Sequence, residues 1–146
     1  MGATEKLLFE HIVNAQKVVS QHIIQTPVAY SKVLSEVVGE QIFIKLENQQ
    51  ITGSFKIRGA INAISNLTSE QKKAGVVALS TGNHGRGLAY AAKLMKIKCI
   101  ICMSELVPQN KIDGIKALGA EVRLIGTKQD DAQVEADRLS IEEGMT

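Results

Sequence analysis

Hydrophobic and polar residues follow a helical spacing early in the chain and a two-residue alternation soon afterwards. Apolar residues recur at helical spacing over about residues 5–20, which predicts an amphipathic helix. The Thr26-Pro27 pair interrupts this periodicity and starts an extended stretch. The alternation over residues 41–47 predicts a strand, followed by a polar, flexible stretch at 48–53 and a helix over about 54–66.

From residue 68 onward, strand patterns and helix patterns alternate regularly. Thr68 and Gln71 have the spacing of a capping box, which predicts a short helix that Gly75 ends. The predicted strands lie at 76–79, 98–103 and 121–125. A helix follows each strand, the last at about 129–143. Three successive strand–helix units predict right-handed crossovers, and hence an α/β fold with an open parallel sheet and helices on both faces.

The end of the chain interrupts this pattern. Gly144 closes the last predicted helix, and Met145 and Thr146 begin a segment where the next strand is expected. The chain is therefore expected to be a truncated form of a longer protein. Its 146 residues suit one folding unit, or two small lobes at most.

Composition and charge exclude several functional classes. Apolar residues make up 45% of the chain and charged residues 22%, which is typical of a soluble globular protein. A net charge of +2 and 3% aromatic residues do not indicate a surface for nucleic acid or for a membrane. No apolar stretch is long enough to span a membrane, and the N-terminus does not resemble a signal peptide. Two cysteines cannot form a disulfide framework, so a cytoplasmic location is expected.

Lys56 is the first candidate for chemistry, because it lies at a predicted loop–helix junction beside the aromatic residue Phe55. In most proteins such a lysine is a solvated side chain near a helix start. A lysine that acts as a Schiff-base nucleophile must lose its proton, which partial burial and the neighbouring cation Arg58 would favour. Both interpretations stay open on these residues alone.

The second candidate is a glycine-rich turn over residues 80–87, between a predicted strand and a predicted helix. Its glycines allow a ligand close to the backbone, and free N–H groups at a helix start favour an anion. The turn lacks the lysine of a P-loop, and Tyr90 replaces the third glycine of a dinucleotide-binding motif. A plain tight turn is equally compatible with this pattern. His84 has no second metal ligand at a suitable spacing on that helix.

Cys99 and Cys102 match a C-x-x-C motif, but both fall within a predicted strand. A separation of three residues places them on opposite faces of that strand. We therefore expect two independent, mostly buried cysteines without a metal or redox role.

Together, the first two candidates resemble the signature blocks of a known enzyme family. Glu47, separated by four residues from the run Thr52–Ala60, is similar to the pyridoxal-phosphate attachment signature of the serine/threonine dehydratases. The run Ser80–Gly85 resembles the loop that follows in the same family, and the similarity extends over nearly the whole chain. The resemblance implies a fold-type II, tryptophan-synthase-β-like enzyme. Residues 1–52 would then belong to its large domain, and residues 53–146 would form most of its small domain.

The resemblance also implies a role for each of the matched site residues. Lys56 would form the Schiff base with pyridoxal 5'-phosphate and move the substrate's Cα proton, and Phe55 would pack against the cofactor ring. Asn83 would hydrogen-bond the cofactor's phenolic oxygen. The substrate carboxylate would be held by Ser80, Thr81, Gly82 and His84. The implied reaction removes the β-hydroxyl of serine or threonine and yields a 2-oxo acid and ammonia.

Two departures from the family pattern bear on these expectations. The phosphate-binding glycine loop, the hydroxyl partner of the pyridine nitrogen and the divalent-metal site are expected beyond residue 146, so the chain alone is expected to be inactive. Thr81 stands where racemases have serine and dehydratases often have alanine, so a racemase remains an alternative. A non-catalytic α/β module is another. The full-length parent is expected to be a homo-oligomer that acts on a small hydroxy amino acid, and not on nucleic acid or a membrane.

Overall fold

The structure is a computed structural model that describes residues 7–146. These residues form helices and short strands. The helices are α1 (Phe9–Val19), α2 (Lys32–Val38), α3 (Lys56–Ser65), α4 (Ser69–Ala74), α5 (Asn83–Leu94), α6 (Gln109–Ala117) and α7 (Gln129–Glu142). The strands are β1 (Val28–Tyr30), β2 (Phe43–Lys45), β3 (Val76–Leu79), β4 (Cys99–Met103) and β5 (Glu121–Leu124).

Strands β3, β4 and β5 form one parallel sheet in that order, which confirms the predicted open parallel sheet. Val76 of β3 is paired with Cys99 of β4, and Ile100 of β4 is paired with Glu121 of β5. Because the strands are parallel, their carboxyl ends meet at one edge of the sheet. The glycine-rich turn follows β3 directly and therefore lies at that edge, where ligands bind in open α/β sheets.

The parallel sheet has helices on both faces, as the strand–helix alternation predicts. One buried cluster joins α3 and α5 to Cys99, Ile101 and Met103 of β4. A second cluster joins α7 to Ile100 and Cys102 on the other face. The prediction that the two cysteines are buried on opposite faces of one strand is therefore confirmed.

Strands β1 and β2 form a separate antiparallel pair, in which Val28 is paired with Lys45. The strand predicted at 41–47 is present but shorter, since β2 has only three residues. Helix α2 lies between these strands and was not predicted, because its seven residues are too few for a helical period to be recognised. Gly39 ends this helix in a left-handed conformation, with φ of 81°.

Two buried residues and a pair of long-range hydrogen bonds anchor the stretch at 48–53, for which its polar composition predicts a flexible segment. A short 3₁₀ turn covers Glu47–Gln49, and Gln50 is only 4% exposed. The Gln50 amide accepts a hydrogen bond from the Ile24 N–H at 2.9 Å and donates one to the Ile24 carbonyl at 2.8 Å. This pairing joins residues 26 positions apart and fixes the segment that leads into α3. No local sequence pattern predicts such a long-range contact.

Helix boundaries differ from the predictions by a few residues. Helix α1 begins at Phe9 rather than near residue 5, and residues 5 and 6 of that prediction lie outside the described residues. Helix α3 begins at Lys56 rather than residue 54. The capping box is confirmed, because Thr68 and Gln71 exchange side-chain-to-backbone hydrogen bonds at the start of α4.

The last residues pair with the outer edge of the parallel sheet. Thr146 donates its N–H to the Gly75 carbonyl at 3.0 Å and accepts the Val77 N–H at 2.9 Å. Since alternate residues of β3 bond to β4, Thr146 lies on the opposite side of β3. The sequence predicts that a strand begins after Gly144. Met145 and Thr146 belong to none of the strands, although Thr146 bonds to the edge of β3 as a strand residue would. Separately, among residues 7–146 no helix has the length and apolar character that a membrane crossing requires.

Candidate active site

Lys56 is the first residue of α3 and follows Phe55, which is more than half exposed. The ammonium nitrogen of Lys56 lies 5.3 Å from the centroid of the Phe55 ring. The partial burial expected for a nucleophilic lysine is not found, since the Lys56 side chain is exposed among the described residues. The amine is therefore open to a ligand that approaches the start of α3.

The glycine-rich turn lies against Lys56 because α5 packs very closely on α3. A Cβ atom added to Gly87 would lie 3.1 Å from the carbonyl carbon of Lys56 and 3.1 Å from the backbone nitrogen of Ile57. Only glycine permits this approach without displacing backbone. The structure thus brings together the two sequence motifs that the resemblance relied on.

Ser80 organises the turn before α5. Its hydroxyl oxygen accepts hydrogen bonds from the N–H groups of Gly85 at 2.8 Å and Gly82 at 3.4 Å. Gly85 is buried against Ser80, where an added Cβ would lie 3.2 Å from the Ser80 carbonyl oxygen. A side chain at this position would therefore push the turn away from the helix start.

Three backbone donors at the start of α5 are available to a ligand. The N–H groups of Thr81, Asn83 and His84 have no hydrogen-bond partner among the described residues. Asn83 and His84 are exposed, and Thr81 is partly buried. Because a helix start carries partial positive charge, this arrangement favours a carboxylate or phosphate.

Glu47 and Arg58, the third residue of α3, form a two-pronged ion pair. Arg58 donates from Nε to one Glu47 oxygen at 2.9 Å and from Nη2 to the other at 2.7 Å. The Thr26 hydroxyl also donates to Glu47, and the Lys45 ammonium lies 3.9 Å from it. The bonds from Arg58 lower the pKa of the Glu47 carboxyl to about 2, so it is charged at neutral pH.

This ion pair corrects the role expected for Arg58. The sequence suggested that Arg58 would act as a cation towards Lys56, whereas its charge is paired with Glu47. Arg58 and Lys45 line a cleft of about 560 Å³ beside α1, and Lys56 does not line it. Sequence reasoning placed Glu47 in a motif without giving it a function, and it missed Thr26. The sequence did contain a signal for such a pairing: the first turn of α3 carries two cations, Lys56 and Arg58, and no acidic residue.

No group of three or more His, Cys, Asp or Glu side chains within residues 7–146 is arranged to hold a metal ion. His84 lies at the start of α5 next to Asn83 and the free donors. Its position therefore suits contact with an organic anion.

Comparison with known proteins identifies the family. The model of the pyridoxal-phosphate dependent enzymes matches residues 19–146. A Sinorhizobium fredii relative, assigned by its name to the threonine dehydratases, is 49% identical over 146 residues, which are 100% of this chain and 44% of that protein. The L-threonine ammonia-lyase of Thermotoga maritima is 45% identical over 138 residues, 94% of this chain and 34% of that protein.

Solved structures show the same fold. A threonine deaminase isoform from Solanum lycopersicum aligns with a TM-score of 0.87 and 37% identity, over 100% of this chain and 40% of that chain. Maize serine racemase aligns with a TM-score of 0.86 and 34% identity, over 94% of this chain and 42% of that chain. The chain spans less than half the length of each of these proteins. Since the family model covers most of the chain and both structures share its arrangement of sheet and helices, the chain belongs to the pyridoxal-phosphate dependent enzyme family, with the fold of its fold-type II members.

Proposed function

We propose that the protein to which this chain belongs is a pyridoxal-phosphate-dependent dehydratase. It would convert a small hydroxy amino acid, such as threonine or serine, to a 2-oxo acid and ammonia. Support comes from relatives named as threonine dehydratases or threonine ammonia-lyases, which are 43–49% identical to the chain. Because the chain corresponds to 34–44% of their length, the activity is proposed for the whole protein.

The groups around Lys56 fit this cofactor. A primary amine that is exposed at the start of α3 can bond covalently to the cofactor's aldehyde. The Phe55 ring beside the amine offers an apolar face for the pyridine ring, and the Asn83 amide can hydrogen-bond its phenolic oxygen. Lys56, Phe55 and Asn83 are therefore the residues of this chain that would hold pyridoxal phosphate.

Lys56 would also carry the proton transfer. When bound, pyridoxal phosphate supplies an electron sink that stabilises negative charge on the substrate's Cα. Once its amine is free, Lys56 would accept the proton from Cα, and the β-hydroxyl would gain a proton and leave as water. The exposed position of the amine at the helix start leaves it free to reach that carbon.

The turn after β3 would hold the substrate carboxylate. The free N–H groups at the start of α5 would donate to the carboxylate oxygens, while the Ser80 hydroxyl keeps the turn in place. The residues proposed for this contact are Ser80, Thr81, Gly82 and His84. Holding the carboxylate would orient the Cα–H bond towards Lys56.

We also infer that residues 1–52 belong to a large domain and residues 53–146 to a small one. Strands β1 and β2 form a sheet of their own, and the parallel sheet lies wholly after residue 75. Most of the large apolar side chains that are exposed among the described residues precede residue 56. An apolar surface of this kind is typical of a face that further protein covers.

The close contact of Gly87 with the backbone of Lys56 and Ile57 is the observation that carries the proposal, because it holds α5, which follows the turn, against the first residues of α3. In the cofactor-loaded protein, borohydride reduction followed by peptide mapping is expected to label Lys56. Lys56→Ala should abolish the label, the visible absorbance band and the formation of 2-oxo acid. The matched control is Lys73→Ala, on α4 at the other end of the sheet, which should change none of these. A label on another lysine would overturn the assignment.

A racemase is the second candidate, because Thr81 carries a hydroxyl, although its β-branch restricts the rotamers that this hydroxyl can adopt. The hydroxyl lies on the partly buried turn before α5 and would offer an acid or base besides Lys56. Maize serine racemase shares the fold at 34% identity. Incubation with L-serine distinguishes the two reactions, because a dehydratase forms pyruvate whereas a racemase forms D-serine. Formation of neither product from serine or threonine would favour a non-catalytic module.

A further inference from the structure

The first turn of α3 has an unfavourable arrangement of charge. It carries the cations Lys56 and Arg58, it has no acidic residue, and no side chain caps the N–H groups at its start. A helix start has partial positive charge and favours anions, so two cations in this turn repel it. The turn therefore needs an external partner to hold it in place.

Glu47 supplies that partner from a different part of the chain. Its carboxylate is 16% exposed and accepts both prongs of the Arg58 guanidinium, at 2.7 and 2.9 Å. The Thr26 hydroxyl donates to the same carboxylate, and Lys45 lies 3.9 Å away, so other contacts fix its orientation. The segments before β1 and after β2 thus hold the third residue of α3.

Two further contacts fix the same turn from other sides. The Ile57 side chain is fully buried in the core, and α5 meets the Lys56–Ile57 backbone at Gly87. Successive residues of a helix project about 100° apart, so the anchors on Ile57 and Arg58 set the direction of the Lys56 Cα–Cβ bond, from which the amine extends. A change at Arg58 would rotate or loosen the turn and displace the amine.

We propose that Glu47 and Arg58 are positioning residues, which set the place of the Lys56 amine without touching the cofactor or the substrate. This inference rests on the proposed function, in which Lys56 holds the cofactor. The proposal assigns a function to the Glu47 carboxylate, which takes no direct part in the proposed reaction.

The test uses the cofactor-loaded protein and the variants Glu47→Gln and Arg58→Met. Gln keeps the shape of Glu but points an N–H₂ group at the guanidinium, so one prong of the pair is lost. In each variant kcat is expected to fall by roughly 10- to 100-fold while KM changes by less than about threefold, because the geometry of reaction and not substrate binding is disturbed. Borohydride labelling of Lys56 should fall in parallel.

The double variant Glu47→Gln/Arg58→Met shows whether the two residues position the Lys56 amine through their shared contact or affect it independently of each other. If both residues act through one contact, the double variant loses no more labelling than the more affected single variant. Additive losses would overturn the proposal.

The matched control is Glu135→Gln. Glu135 accepts two hydrogen bonds from Arg138 and one from Arg123, on the helix that covers the opposite face of the sheet. Both Glu135→Gln and Glu47→Gln are expected to lower the melting temperature, because each removes a prong of an ion pair, but only Glu135→Gln should keep full labelling of Lys56. Equal labelling in Glu47→Gln and Glu135→Gln would overturn the positioning role. Failure of the unmodified protein to label Lys56 at all would instead contradict the proposed function.

Discussion

Two buried threonines in the N-terminal part differ sharply in their hydrogen bonding. Thr26 is 3% exposed and donates its hydroxyl to Glu47. Thr52 is 1% exposed, and its hydroxyl has no hydrogen-bond partner among the described residues. A buried hydroxyl that donates to a carboxylate stabilises the fold, whereas a buried hydroxyl without a partner costs free energy. The same residue type therefore contributes with opposite sign at the two positions.

Replacement of each threonine by valine, which has nearly the same shape, tests this difference. Thr26→Val is expected to lower the free energy of unfolding by about 1.5–3 kcal/mol, because a hydrogen bond to a charged group is lost. Thr52→Val should leave the free energy of unfolding unchanged or raise it by up to about 1 kcal/mol. Urea unfolding followed by circular dichroism measures both values. A similar loss in the two variants would contradict the difference in hydrogen bonding between Thr26 and Thr52.

At the scale of elements, the site depends on how closely α5 approaches α3. The residues of α5 that face the core are small or apolar: Gly85, Gly87, Leu88, Ala89, Ala91 and Ala92. Gly87 has backbone of α3 within 3.1–3.2 Å of the position that its Cβ would take. Backbone atoms cannot move aside as the end of a flexible side chain can. The distance between the two helices, and with it the distance from the turn to Lys56, therefore depends on this glycine.

The variant Gly87→Ala tests the helix contact. It is expected to lower the free energy of unfolding by about 1–3 kcal/mol through overpacking, and to reduce the labelling of Lys56 because the turn moves away. Gly114→Ala is the matched control, since Gly114 lies in α6 and an added Cβ would meet nothing within 4 Å. That change should raise stability by up to about 1 kcal/mol, as expected for alanine in a helix. Thermal unfolding of both variants is the measurement, and a neutral Gly87→Ala would contradict the close packing.

At the scale of the whole molecule, the parallel sheet separates two buried clusters. Strand β4 contributes to both, because alternate residues face opposite sides, and all five of its residues are buried. Burial raises the pKa of the Cys99 thiol to about 12, and it also raises the pKa of Cys102. Because the thiolate is the reactive form, few molecules carry it at neutral pH.

Both thiols are therefore expected to react slowly with a disulfide reagent at pH 7–8 in the native protein, at a rate limited by opening of the sheet. Mild oxidation should not join them, because they lie on opposite faces of β4. Thiol titration in native buffer and in urea gives the two rates. Rapid reaction of either cysteine in native buffer, or a disulfide between them, would contradict the layered arrangement.

The sequence by itself determined the parallel sheet, its two helical layers and the opposite placement of Cys99 and Cys102. These features follow from local periodicity, because alternation and helical spacing directly state which face of each element is buried. The capping box at Thr68 is equally local. Matched motifs also identified Lys56 and the turn at 80–87 as site candidates, while the individual roles of these residues remain predictions.

The tertiary structure alone decided how the site is assembled. The contact of Gly87 with the Lys56–Ile57 backbone joins residues about 30 positions apart, and the pairing of Gln50 with Ile24 spans 26. The ion pair of Glu47 with Arg58 likewise depends on the path of the chain between β2 and α3. Helical or strand periodicity carries no information on such contacts, because they depend on how finished elements pack. For this reason the sequence suggested that Arg58 would act on Lys56, whereas the folded chain pairs Arg58 with Glu47.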